Sequence, residues 1–232
     1  MARVLDADKI LATIERLATR VRERFPTAGL NRVVQELQGL AKDTRARAAW
    51  VRRPNVSLRI AAGLVTAGLL VVLVAAARFL QVPGRVENVG SLMQALEATV
   101  NDVVFVGVAI WFLLTIEARW KRHVALRGIH ELRSLAHVVD MHQLTKDPEH
   151  VLGLGPATTS SPERVLTRFE LARYLDYCSE MLSLTSKLAA LYVQTFDDRT
   201  VLAAVSDVQA LTTGLSNKIW QKIMILDTAG RT

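Results

Sequence analysis

Cysteine is almost absent from this chain, which has Cys178 alone among 232 residues. A single cysteine excludes an intramolecular disulfide, and its scarcity fits a soluble part that faces a reducing compartment. We expect Cys178 to serve as small apolar packing, because free cysteine is among the most buried residue types. The fold is therefore expected to form without a covalent crosslink.

The sequence also lacks the motifs of known enzymes. Residues 130–134 read HELRS, which begins like the zinc-protease motif HExxH but has Ser134 where the second metal ligand must lie. The GLG at 153–155 lacks the preceding strand and the last glycine of a dinucleotide loop. There is no GxxxxGK, GxSxG or catalytic-cysteine signature. We therefore expect no catalytic residue, no cofactor and no enzyme activity.

Strand patterns are missing as well, so the expected fold class is all-α. What the sequence does contain is two apolar runs without charge, residues 60–77 and 103–116, joined by about 25 residues. The first run is 18 residues long, close to the ~20 that a helix needs to cross a bilayer. The first 57 residues carry no signal-like apolar stretch, so we expect the first span to be retained. These runs predict an integral membrane protein with a two-helix transmembrane hairpin and a cytoplasmic helical bundle.

Positive charge is concentrated beside the two runs. Residues 1–57 contain twelve Lys and Arg against six Asp and Glu, whereas residues 83–98 between the runs have Arg85 as their one basic residue. By the positive-inside rule both termini are cytoplasmic, and we take the membrane to be the inner (plasma) membrane of a bacterium, crossed in a multi-pass topology. Basic residues next to a bilayer favour anionic lipid headgroups as partners, and we expect no nucleic acid partner.

Amphipathic patterns divide the rest of the chain. Apolar residues recur at helical spacing before and after Pro26, which predicts a helical hairpin. A stripe from Val201 to Leu226, which includes Leu202, approaches the heptad spacing of a coiled coil, and Asp197 and Asp198 can cap that helix. Ser161 before Pro162 has the features of a helix start. The predicted parts are the N-terminal cytoplasmic hairpin 1–57, the first span 58–82, an external loop 83–98, the second span 99–118, its cytoplasmic extension 119–145, a linker 146–162 and the C-terminal cytoplasmic hairpin 163–232.

Two charged residues lie near the outer ends of the predicted spans. Arg78 follows the first run and Asp102 precedes the second. They either pair, which would lower the cost of a charge near hydrocarbon, or are solvated separately at the interface. In the first span Gly63, Ala67 and Gly68 lie about a turn apart and would allow another helix to approach closely.

All five histidines fall within residues 123–150. Three of them are seven residues apart and share one helix face. Three interpretations compete: a metal site completed from elsewhere, polar rings around a symmetry axis that select ions or respond to pH, and hydrogen bonding that organises the bundle. The candidate polar or pore-associated residues are Arg78, Asp102, His123, His130, Arg133, His137, Asp140 and His142.

Together these features predict an oligomeric membrane-anchored scaffold or regulatory protein. It would present a helical domain to other copies of itself or to a cytoplasmic protein partner. A small homo-oligomeric channel or pore is the first alternative, and a metal-dependent membrane enzyme centred on His130, His137 and Asp140 is the second.

Overall fold

A computed structural model describes residues 4–80, 89–152, 166–194 and 196–228. This part of the chain contains helices and no strand, which confirms the all-α prediction. The helices are α1 (Ala7–Arg24), α2 (Leu30–Arg52), α3 (Val56–Leu80), α4 (Val89–Leu144), α5 (Pro148–Leu152), α6 (Arg168–Val193) and α7 (Arg199–Thr228).

The chain divides into two compact units. The first, which we call the bundle unit, comprises Met1–Arg52 and Arg122–Thr232. The second, the apolar unit, comprises Arg53–Lys121. Helix α4 is 56 residues long and contributes its first part to the apolar unit and its last part to the bundle unit.

The bundle unit has one hydrophobic core, to which α1, α2, α4, α6 and α7 all contribute. The apolar stripes predicted for the two N-terminal helices supply most of their buried residues, as the helical periodicity requires. Phe25, at the end of α1, packs edge-to-face on Tyr174 and Tyr177 of α6, with ring centroids 5.5 and 6.2 Å apart. The N-terminal and C-terminal hairpins therefore pack into a single core.

Local capping explains where several helices begin. Asp6 accepts hydrogen bonds from the backbone N–H groups of Asp8 and Lys9 and so caps α1. Asp198 caps α7 as its sequence position predicts, accepting from the backbone N–H groups of Thr200 and Val201 at 3.0 and 3.1 Å.

Arg122 anchors this cap to α4, because its Nε donates to Asp198 Oδ2 at 2.7 Å. Burial alone would raise the pKa of Asp198, but the Arg122 guanidinium and the backbone N–H donors outweigh it and lower that pKa. Asp198 therefore caps the first turn of α7 and, through Arg122, holds the start of α7 to α4.

Three details differ from the sequence-based predictions or lie beyond them. The predicted helix start at 161–163 lies outside the described residues, and α6 begins at Arg168 with a capping box between Thr167 and Glu170. The short helix α5 lies inside the predicted linker 146–162, and its first residue, Pro148, suits a first helical position. Leu202 was expected in the apolar stripe of α7 but is 52% exposed.

Cys178 lies in the bundle core with no exposed surface, in agreement with its expected packing role. Burial raises the pKa of its thiol to about 12, which keeps the thiol in the unreactive protonated form. We therefore expect the folded chain to resist alkylation by iodoacetamide at pH 8 and to react fully in denaturant. Mass spectrometry of the alkylated chain measures this difference, and rapid labelling under native conditions would contradict it.

The apolar unit leaves its apolar side chains uncovered. Two stretches, Leu30–Ala75 and Val100–Leu144, contain 18-residue windows with mean hydropathies of 2.3 and 1.8. Of the residues in these windows, 0% and 6% respectively are buried. Two helices are thus long and apolar enough to cross a membrane. Apart from the adjacent residues and the backbone of the same helix, no described atom lies within 4 Å of where a Cβ at Gly63 or Gly68 would be, so no other described part of the chain packs against these glycines.

Candidate functional site

The predicted histidine stripe lies on α4 with its three evenly spaced members on the surface. His123, His130 and His137 are all exposed, while the neighbouring stripe of α4 turns into the core. Its residues, Ile129, Leu132, Ala136 and Val139, are each at most 3% exposed. Helix α4 is therefore two-sided as its periodicity predicts, and the imidazoles face outward instead of stabilising the bundle core.

The remaining candidate residues near the end of α4 are partly buried. Asp140 accepts a hydrogen bond from Gln143 Nε2 at 2.6 Å. The His142 ring lies against Gly29 in the turn between α1 and α2, so close that a Cβ at Gly29 would fall 2.7 Å from His142 Cε1. The Asp140 contact is therefore within α4 itself, whereas the His142 ring packs against the turn between α1 and α2.

Lys222 of α7 forms hydrogen bonds at the C-terminal end of α4. Its Nζ donates to the carbonyl oxygens of Gln143 and Lys146 at 2.9 and 3.2 Å, where the partial negative charge of a helix C-terminus favours a cation. Burial lowers the pKa of Lys222, and the nearby charges of Asp147 and Asp140 oppose that shift. Sequence reasoning did not single out Lys222, because its contacts are with residues more than 70 positions away in the chain.

His130 and Arg133 border a groove of about 290 Å³ between α4 and α7. Asp207 of α7 lies on the same rim, so the groove carries two basic side chains and one acid above an apolar floor. The floor is formed by Leu126, Ile129, Ala204 and Val208. This arrangement can hold an apolar group with a polar end, but it does not bring the histidines of the stripe together.

The metal hypothesis requires at least three donor side chains close to one another. Among the described residues, no group of three or more His, Cys, Asp or Glu side chains could hold a metal ion. His130 and His137 are also roughly 10 Å apart along the helix axis, because each residue adds 1.5 Å. Ligands from outside the described chain would be needed to complete such a site.

Arg78 and Asp102 are both exposed in the apolar unit. They form no ion pair with each other in the part of the chain that the structure describes. Of the two alternatives drawn from the sequence, this arrangement matches separate exposure at the ends of the two apolar segments.

A polar cluster of the apolar unit centres on Glu117, a residue that was not among the candidates. One of its carboxylate oxygens accepts from the backbone N–H of Asn55 at 2.9 Å and pairs with Lys121 Nζ at 2.8 Å. The other accepts from Arg59 Nε at 2.5 Å. Lys121 Nζ also donates to the carbonyl oxygen of Arg53 at 2.8 Å. We call this cluster the Glu117 junction. Its contacts connect the start of α3 to α4.

The side chains of the junction differ in burial. Glu117 and Lys121 are 13% and 9% exposed, whereas Arg59 is 64% exposed. The buried pair therefore depends on mutual neutralisation, and Arg59 adds an outer contact that solvent screens. The signal in the sequence was the position of Glu117, an acid directly after the uncharged run and four residues before a lysine.

Arg119 lies beside the junction and rests over aromatic rings. Its guanidinium carbon is 4.9 Å from the Trp111 ring centroid and 5.3 Å from that of Phe112. Arg119 Nε also donates to Thr115 Oγ1 at 3.3 Å. The guanidinium therefore makes a cation–π contact with the aromatic side chains at the end of the apolar run.

No protein-family model, curated protein or solved structure matches the chain. The support for a function therefore comes from the two units and their side chains.

Proposed function

We propose that this chain is an oligomeric membrane-anchored scaffold or regulatory protein whose helical domain faces the cytoplasm. The observation that carries the proposal is the contrast between its two units. The apolar unit exposes large hydrophobic side chains along both helices, including Leu64, Val71, Phe105 and Leu114. The bundle unit buries most of its hydrophobic side chains in one core.

Exposure of this extent is costly in water, at about 25 cal/mol for each Å² of apolar surface. A bilayer removes that cost, and contiguous exposed apolar surface marks a membrane or protein contact. The apolar helices therefore support a transmembrane hairpin. Arg119, the Glu117 junction and the basic residues flanking both runs support anionic headgroups on the side of the termini.

The bundle unit supports a role in presentation. Its polar side chains form caps, ion pairs and helix-end contacts, as those of Asp198, Lys222 and His142 show. Such contacts fix the shape of a helical surface. A rigid helical surface on a membrane anchor suits assembly with other copies of the chain or with a cytoplasmic protein.

Cysteine labelling in membrane vesicles tests the topology. Buried Cys178 resists labelling in the folded chain, so single cysteines can be introduced by Gln35→Cys and Ser183→Cys, both exposed in the bundle unit, and by Asn88→Cys between the two runs. We expect a membrane-impermeant maleimide to label the first two variants only from the cytoplasmic side and the third only from the outside. Labelling of the bundle variants from the outside, or release of the chain by alkaline carbonate, would overturn the proposed anchor.

Ion flux distinguishes the scaffold from a pore. The purified chain in liposomes is expected to give no flux above that of empty liposomes while still forming an oligomer by light scattering. Flux that Asp102→Ala abolishes would replace the scaffold with a channel.

A further inference from the structure

The outer face of α7 carries large apolar side chains that the described chain leaves uncovered. Leu202, Trp220 and Met224 are 52%, 61% and 48% exposed. Leu202 and Trp220 are 18 residues apart, which is five full turns, so they share one edge of the helix about 27 Å apart. Met224 lies one turn beyond Trp220 on nearly the same edge. The two ends of α7 thus expose hydrophobic surface on the same side.

The opposite edge of this face carries one acid and one base. Asp207 and Lys218 are the charged residues of α7 between positions 200 and 221, and both are exposed. They are 11 residues apart, close to three full turns, and therefore lie along one line. Between the two edges the exposed residues Ala210, Thr213 and Asn217 are uncharged and short, and the one long side chain on the apolar edge between Leu202 and Trp220 is the uncharged Gln209.

We propose that α7 pairs with α7 of a second copy of this chain in an antiparallel arrangement. This inference rests on the proposed oligomeric scaffold and names the surface through which it assembles. An antiparallel pair centred between Thr212 and Thr213 places Asp207 opposite the partner's Lys218, and Lys218 opposite the partner's Asp207. Each pair of copies then gains two complementary charge contacts.

The same register covers the exposed apolar residues. Trp220 comes within about one helical turn of the partner's Leu202, and the twofold symmetry repeats that contact at the other end. A parallel pair would instead place Asp207 beside the partner's Asp207, and like charges in contact are unfavourable. The charge pattern therefore selects the antiparallel direction.

A membrane surface is a poorer occupant of this face. Asp207 and Lys218 cancel each other, whereas attraction to anionic headgroups requires an excess of basic residues. A second copy satisfies both charges and both apolar ends at once, which a lipid surface does not.

Disulfide trapping of the full-length chain in membranes tests the direction and the register. Thr213→Cys lies next to the twofold axis, and we expect it to crosslink to its own copy under mild oxidation. Gln221→Cys alone is expected to stay monomeric, because the two copies of that position would be roughly 25 Å apart, far beyond disulfide reach. Mixed chains carrying Ala203→Cys and Gln221→Cys are expected to crosslink to each other. The parent, with only buried Cys178, is the control.

Complementary charge variants test the ion pairs. Lys218→Glu chains are expected to pair roughly tenfold more weakly, since two attractive contacts become repulsive. Asp207→Lys chains should weaken similarly, and a mixture of the two variants should restore pairing between unlike chains. Thermal melting of each variant reports whether the chain remains folded, which is necessary because Asp207 also borders the groove with His130 and Arg133.

Self-crosslinking of Gln221→Cys, or no crosslink at Thr213→Cys in folded chains, would overturn the antiparallel α7 pair. Failure of the mixed charge variants to recover pairing would do the same. If light scattering still shows an oligomer, the proposed scaffold stands and a different surface assembles it. If the chain is monomeric, the oligomeric part of the proposed function fails as well.

Discussion

Replacing Gly128 with alanine is expected to lower the free energy of unfolding by about 1–3 kcal/mol, the usual cost of overfilling a packed core. Gly128 is buried in α4, and a Cβ there would overlap the hydroxyl of Tyr192 and fall 2.7 Å from Tyr192 Cζ. Tyr192 is 1% exposed and has little room to move away. Thermal unfolding of the detergent-solubilised chain, followed by circular dichroism, measures the loss.

The matched control is Gly39→Ala on α2. No described atom lies within 4 Å of where its Cβ would be, so the substitution should be neutral or raise stability by up to about 1 kcal/mol through helix propensity. Adding Tyr192→Phe to Gly128→Ala should recover part of the loss, because it removes the atom nearest the new methyl group. Equal melting temperatures for the two alanine variants would contradict the close packing of α4 on α6.

The helices of the bundle unit were predictable from the sequence because their burial is periodic. Ile10, Ile14 and Leu17 of α1, for example, recur at helical spacing, and each is buried. Asp198 was predictable as a cap because capping is a contact with the backbone of the next few residues. Fold class and most helix positions therefore depended on short-range patterns.

The side-chain surroundings were less predictable because they depend on contacts between distant parts of the chain. The spacing of the histidines predicted their shared face but not its outward exposure. The periodicity of α7 placed Leu202 in the core stripe, although the structure exposes it at the edge of that stripe. Glu117 contacts Arg59, 58 residues earlier, and Gly128 contacts Tyr192, 64 residues later. No local pattern marks such pairs.

Replacing Glu117 with glutamine is expected to have the largest effect in the apolar unit. The amide keeps the size of the side chain but removes the negative charge, leaving Lys121 9% exposed without its ionic partner. Breaking a buried ion pair from one side costs about 3–5 kcal/mol, and the partial exposure of this junction places the expected loss near the lower value. Thermal unfolding in detergent should show a clear decrease in melting temperature.

Glu97→Gln on the same helix is the control, because Glu97 is exposed and forms no ion pair among the described residues. A second variant separates lost charge from lost shape: Lys121→Met added to Glu117→Gln removes the unpaired ammonium and should restore part of the stability.

Hydrogen exchange at the Asn55 amide, which donates to Glu117 at 2.9 Å, reports locally whether this contact has been lost. Faster exchange there in Glu117→Gln, with no change in Glu97→Gln, would show that this carboxylate holds the start of α3 to α4. Identical melting and exchange in the two glutamine variants would show that this carboxylate does not hold the start of α3 to α4.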